Sequence, residues 1–273
     1  NDQGVLARVT NYGCIIQSII VPDTNGVFRD VTLGFDDVRS YYSPVYLADS
    51  PYFGAIVGRY ANRIANAKYE YQGKTYQHTK NDGDNQLHGG GSFSQKVWTI
   101  KSIHPETAGV VFSLESPDGE EGFPGNVIAE VSYQLSNNNE FIYEISAKTD
   151  FPTPVNMTNH VYFNLSADAS SVQDHLLQIS AQRYFAQDEN LVVTGELLPV
   201  KGTAYDFSAP RPIGSNWNPE TGYDQAFEID KDPGKWACIA RASSPKTGIS
   251  LEVHTSEPVV QFYSGGFLNG IKG

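Results

Sequence analysis

The chain has 273 residues, 40% of them apolar and 18% charged, a globular composition that excludes wholesale disorder and supplies enough chain to bury a core. Acids outnumber bases 31 to 19, for a formal charge of −12; a surface of that sign repels phosphate backbones and anionic lipids, so no nucleic acid and no membrane is expected as a partner. The longest apolar runs, such as Cys14-Ile15-Ile16 and Ile19-Ile20-Val21, are far too short to span a bilayer.

The 16 Tyr, 14 Phe and 3 Trp, set among 25 Gly and 15 Pro, point to many short strands joined by many turns. The chain opens on polar Asn1-Asp2-Gln3-Gly4, which carries no signal-peptide pattern. Leu6 to Tyr12 leads into the apolar residues around Ile16 and Ile20 with a period of two. Asn25-Gly26 between strand-like residues predicts a two-residue hairpin loop. Asp37 to Tyr41 has room for one helical turn, and no amphipathic helix of ten residues or more is expected anywhere. A second hairpin is predicted over Tyr69–Tyr76 around Gln72-Gly73. A third joins Ala129–Leu135 to Phe141–Ala147 through Ser136-Asn137-Asn138-Asn139. Asp150 to Pro154 resembles a boundary but runs straight into a strand-like segment, and Leu176–Ser180 and Ile249–Val253 are further strands. Strands that are not separated by helices exclude a doubly wound parallel sheet. The reading is one all-β domain, a large antiparallel β-sandwich.

Several familiar chemistries have no support. Neither G-x-x-x-x-G-K-[ST] nor G-x-G-x-x-G between a strand and a helix occurs, which removes the usual nucleotide cofactors, and without H-E-x-x-H or paired C-x-x-C no dedicated metal site is expected. Cys14 and Cys238 make no disulfide framework and are expected as buried structural thiols, in keeping with a reducing compartment.

Three constellations carry chemistry. In Pro154–Leu165, Asn156, Thr158, His160, Tyr162 and Asn164 recur at every second position. On a strand they share one face, too polar for an ordinary core and suited to the floor of a polar cleft. Gly58-Arg59-Tyr60-Ala61-Asn62-Arg63-Ile64 and Asn85-Gln86-Leu87-His88-Gly89-Gly90-Gly91 place Arg, Asn and His donors beside Gly-rich turns; for an Arg on a strand the default is a surface charge or an ion pair. Gly222-Tyr223-Asp224 and Gln261-Phe262-Tyr263-Ser264-Gly265 combine a carboxylate, an amide and aromatic rings. That set suits a sugar, whose hydroxyls take paired hydrogen bonds and whose C–H face packs on an aromatic ring.

In order and in composition, these segments, together with Asp118–Gly125, resemble the aldose 1-epimerase (galactose mutarotase) family, particularly its bacterial type. The resemblance implies a β-supersandwich fold, interconversion of the α and β anomers of free aldohexoses such as galactose and glucose, and no metal or organic cofactor. It implies His160 as the general acid that protonates the ring oxygen, with His88 beside it to bind sugar and stabilise charge. Asn62 and Arg63 would hold hydroxyls, Asp224 would anchor the far side of the sugar, and Gln261 would line the cleft. The general base of the family is a Glu that is expected beyond Gly273. Residues 1–273 are accordingly read as a single aldose 1-epimerase-like domain lacking its N-terminal start and its C-terminal strands. A cytoplasmic monomer or homodimer with a small-molecule sugar as partner completes the expectation. The competing readings are a non-catalytic sugar-binding protein on the same scaffold and a hexose-6-phosphate epimerase. The second would need more than one cation at a phosphate, whereas Arg63 is the one obvious cleft cation.

Overall fold

A computed structural model describes residues 1–168 and 171–268. Among them the chain forms short strands and one α-helix, Pro44–Asp49, as the period-two pattern and the absence of long amphipathic stretches require. No helix among the described residues is long and apolar enough to cross a membrane. Two compact units are distinguished among the described residues, 1–21 with 32–163, and 22–31 with 164–168 and 171–268.

The first unit is built on an antiparallel meander of Thr99–His104, Gly109–Ser116, Val127–Leu135 and Phe141–Thr149. Along Val127–Leu135 every second side chain (Val127, Ala129, Val131, Tyr133, Leu135) is buried while Ile128 is exposed, the signature of a strand with one face on a core. The predicted third hairpin is present, with Leu135 paired to Phe141. The second is present too: Lys68–Tyr71 pairs with Lys74–Gln77, and both loop residues, Gln72 and Gly73, have positive φ, as a type I′ turn demands. Asp37 caps the short helical turn Val38–Tyr42 by accepting from the Arg39 N–H, and Ser43 caps Pro44–Asp49 by accepting from the Tyr46 N–H.

In the second unit two four-stranded sheets face one apolar core. One runs in the order Arg211–Pro212, Leu176–Ile179, Ala237–Ser243, Ser250–Thr255, the other Val193–Pro199, Arg183–Gln187, Asp224–Glu228, Val259–Tyr263. Leu177, Ile179 and Ile239 from the first and Phe227 from the second meet Val200, Phe207, Ile213 and Tyr223 between them. This is the sandwich architecture expected. The Asn25-Gly26 turn differs in length from its prediction. Asp23 and Val27 close it through an Asp23 N–H to Val27 O bond of 2.8 Å, so the loop holds three residues, with Gly26 at φ +78°. The Asp23 carboxylate accepts from the Asn25 and Val27 N–H groups as well as from Arg29, which favours the longer loop. Cys14 and Cys238 are both free; Cys14 is buried as expected, whereas Cys238 is only half-buried.

Candidate active site

The segment Pro154–Leu165 is not the continuous strand its alternation suggests. Only Thr158–Asn159 forms a ladder, with Ile56–Val57. Around it the backbone changes partners: Asn156 bonds Arg59 and Ala61, His160 bonds Gly54 and Ala55, and Tyr162 O accepts from Leu33. A side chain of the meander anchors this path. The Asn159 amide donates to Gly54 O at 2.7 Å and to the Tyr133 hydroxyl at 3.2 Å, and that hydroxyl donates to Cys14 O at 2.6 Å. His160, the next residue, therefore sits on backbone held from both sides.

His88 is placed by the ladder of Arg63–Ile64 with Gln86–Leu87. One step further along it, the His88 N–H donates to Asn62 O at 3.1 Å, and the Asn62 N–H donates to His88 Nδ1 at 3.0 Å. A backbone N–H can only donate, so Nδ1 accepts and the neutral ring carries its proton on Nε2. The Gly run after His88 has a steric cause. Gly89 has φ +67°, and a Cβ there would lie 2.0 Å from Gly58 O, so only Gly lets the chain turn this tightly beneath the histidine.

The two imidazoles lie with ring centres 5.1 Å apart, nearly perpendicular. Tyr52 joins them, 4.8 Å from His88 and 5.7 Å from His160, and Tyr162 lies 5.1 Å from His160. Tyr52 has φ +59°, an uncommon conformation for an aromatic residue. It is braced on one side by the Phe53 N–H, which donates to the hydroxyl of buried Tyr46. Burial is the main influence on the His160, His88 and Tyr52 rings. It lowers the His160 pKa to about 4. It lowers His88 far below the usual value, with the neighbouring His160 and Arg63 adding to the effect. It raises the Tyr52 phenol to about 12. Near neutral pH the cluster is thus two neutral imidazoles and a protonated phenol.

Asn62 uses its side-chain oxygen to accept from the Arg63 N–H at 2.8 Å, which leaves its amide N–H₂ for other partners. The Arg63 guanidinium is mostly buried and paired with Asp82 at 2.7 Å, an orienting contact. Arg59 does not take the surface or ion-pair role assumed for it. It is 1% exposed, and its guanidinium donates to Ser116 Oγ and to the carbonyls of Ser116, Pro117 and Pro124. This arginine pins the strand that leads to Asn62 and Arg63.

In the second unit Asp224 and Gln261 come together. Asp224–Glu228 pairs with Val259–Tyr263, and the Gln261 amide donates to Asp224 Oδ1 at 2.6 Å. Ser264 Oγ accepts from the Tyr223 N–H, which fixes the backbone beside Asp224. His160, His88, Asn62 and Arg63 form one cluster in the first unit, and Asp224 and Gln261 are a contacting pair in the second. The Glu expected beyond Gly273 lies outside the described residues. Tyr52 and Asp82 enter the cluster without having been singled out: Tyr52 sits in an apolar Pro-Tyr-Phe-Gly stretch that reads as core, and Asp82 in a polar turn that reads as solvent.

An aldose 1-epimerase family model matches residues 1–272. Human galactose mutarotase is 41% identical over 266 residues, covering 96% of this chain and 75% of that protein. The aldose 1-epimerase of Escherichia coli K12 is 38% identical over 278 residues, covering 99% and 78%. Among solved structures, an aldose epimerase homologue from C. elegans superposes with a TM-score of 0.88 at 31% identity over 98% of this chain and 80% of its own. An all-β chain with a paired-imidazole cluster and matches of this extent defines a class of sugar epimerases. The chain belongs to the aldose 1-epimerase family.

Proposed function

We infer that this protein interconverts the α and β anomers of free aldohexoses, galactose and glucose among them, by acid–base opening and reclosure of the sugar ring. The observation that carries the reading is the His88–His160 pair, 5.1 Å apart, beside Asn62 and Arg63, because ring opening needs a proton donor aimed at one oxygen and hydrogen-bond donors on the hydroxyls around it. In this reading His160 delivers a proton to the ring oxygen as the bond from that oxygen to the anomeric carbon breaks. A base removes the proton of the anomeric hydroxyl, whose oxygen becomes the aldehyde carbonyl. Rotation about the adjacent carbon–carbon bond presents the other face of the aldehyde, and the steps run in reverse with the opposite configuration. Each positioned proton transfer contributes about 10²–10⁴-fold.

With a pKa of about 4 the free His160 ring is neutral near pH 7, so the imidazolium that donates is a minor form, strongly acidic once formed, and the returned neutral ring is the form burial favours. His88, with its proton on Nε2, is a hydrogen-bond donor that carries no charge to be solvated. Asn62 and Arg63 hold hydroxyls, as do Asp224 and Gln261, and a carboxylate serves as the base. A neutral sugar needs no basic steering, which is compatible with the charge of −12. A cytoplasmic setting belongs to the same reading, with monomer and homodimer both open to it.

Polarimetry on freshly dissolved α-D-galactose tests this. The protein accelerates mutarotation above the buffer rate, and His160→Ala loses about 10²-fold or more of that acceleration. Sugar binding in a calorimeter with no acceleration would overturn it in favour of a binding protein.

A further inference from the structure

We propose that Cys238, Glu252 and His254 form a binding site for one divalent transition-metal ion of the zinc class, on the strand pair Ala237–Ser243 and Ser250–Thr255. Cys238 stands directly opposite His254 in the antiparallel register, so their side chains share a face with Cβ atoms about 5 Å apart. Glu252 is two residues before His254 and shares that face; both are exposed, while Cys238 is half-buried. The thiol sulfur, a carboxylate oxygen and an imidazole nitrogen all lie within 4.8 Å of one another. Bond lengths of about 2.0–2.3 Å to a tetrahedral zinc ion put donor atoms about 3.5 Å apart, within reach of small rotations of the two exposed side chains.

The donors suit that ion and not a hard one. Sulfur, nitrogen and oxygen together favour zinc or cobalt(II) over magnesium or calcium, and three protein ligands leave a fourth position for water. The two Glu252 oxygens are already differentiated. Arg241 Nε donates to Oε1 at 2.8 Å, while Oε2 faces His254 Nε2 at 3.1 Å. A metal ion seated between Oε2 and Nε2 displaces the Cys238 thiol proton to solvent, the imidazole keeps its proton on Nδ1, and Arg241 remains on the outer oxygen. The Trp236 ring stacks on His254 with ring centres 6.2 Å apart. Fourteen positions separate Cys238 from Glu252, so no contiguous motif announces the site; strand pairing assembles it.

The test uses the whole chain, reduced with a phosphine, stripped with a chelator and titrated with zinc chloride and with cobalt(II). The expected result is one equivalent bound, with cobalt giving tetrahedral absorption bands and a thiolate charge-transfer band. Cys238→Ser and His254→Gln each weaken binding about 10-fold or more, and His104→Gln, an exposed histidine elsewhere, leaves it unchanged. His254 is exposed, so its variant keeps the fold even if Cys238→Ser perturbs the sheet. Failure to bind one equivalent, an octahedral cobalt spectrum without charge transfer, or unchanged affinity in His254→Gln overturns the proposal. None of these readouts depends on sugar turnover.

Discussion

Acid should unfold this protein partly through His160. In an unfolded chain its imidazole has the ordinary value of about 6.5, whereas in the fold burial lowers it to about 4. The folded state therefore binds the proton more weakly than the unfolded state. The contribution of His160 is present in full above pH 6.5, shrinks as the pH falls, and is gone below about 4. That difference in proton affinity corresponds to roughly 3 kcal/mol. The ring keeps some contact with solvent, so about 2 kcal/mol is the expected loss between pH 6.5 and 4. Urea unfolding midpoints measured from pH 8 to pH 4 for the native chain and for His160→Gln give this directly. The two curves run parallel above pH 6.5 and converge below it as the native chain loses its extra term. If His160→Gln keeps the full acid slope, the imidazole is not desolvated as described, and the argument for a readily released proton falls with it.

His88→Ala removes the acceptor of the Asn62 N–H; stability drops by about 1–3 kcal/mol in urea titrations, and mutarotation slows by about 10²-fold in polarimetry. Gly89→Ala forces a Cβ to within 2.0 Å of Gly58 O at a positive φ; it costs more than about 1 kcal/mol and lowers kcat by displacing His88, measured by the same two assays. Arg59→Met strands buried carbonyls of Ser116, Pro117 and Pro124; thermal unfolding should show a loss of about 3 kcal/mol. Asp224→Ala releases Gln261 and raises KM for galactose more than it lowers kcat; a pure kcat effect would contradict a role in holding hydroxyls.

The local pattern of the chain was enough for its strand-rich character, for the Gln72-Gly73 turn and for the Val127–Leu135 and Phe141–Thr149 pair, because alternation and turn chemistry act over a few neighbours. It drew attention to His160 as one of five alternating polar residues, whereas His88, Asn62 and Arg63 were weak signals alone and took their expected roles from the family resemblance. What those residues touch was decided by tertiary structure. Pro154–Leu165 alternates like a strand, yet its backbone is shared among 54–61 and 33, partners about a hundred residues away that no window contains. Arg59 reads as a surface charge and is buried because carbonyls from 116 to 124 converge on it. Tyr52 reads as core and stands beside both imidazoles, on backbone with a positive φ. Period and propensity constrain which residues can sit on a face. Long-range backbone pairing decides which faces meet, and with it the dielectric that sets each histidine's proton affinity.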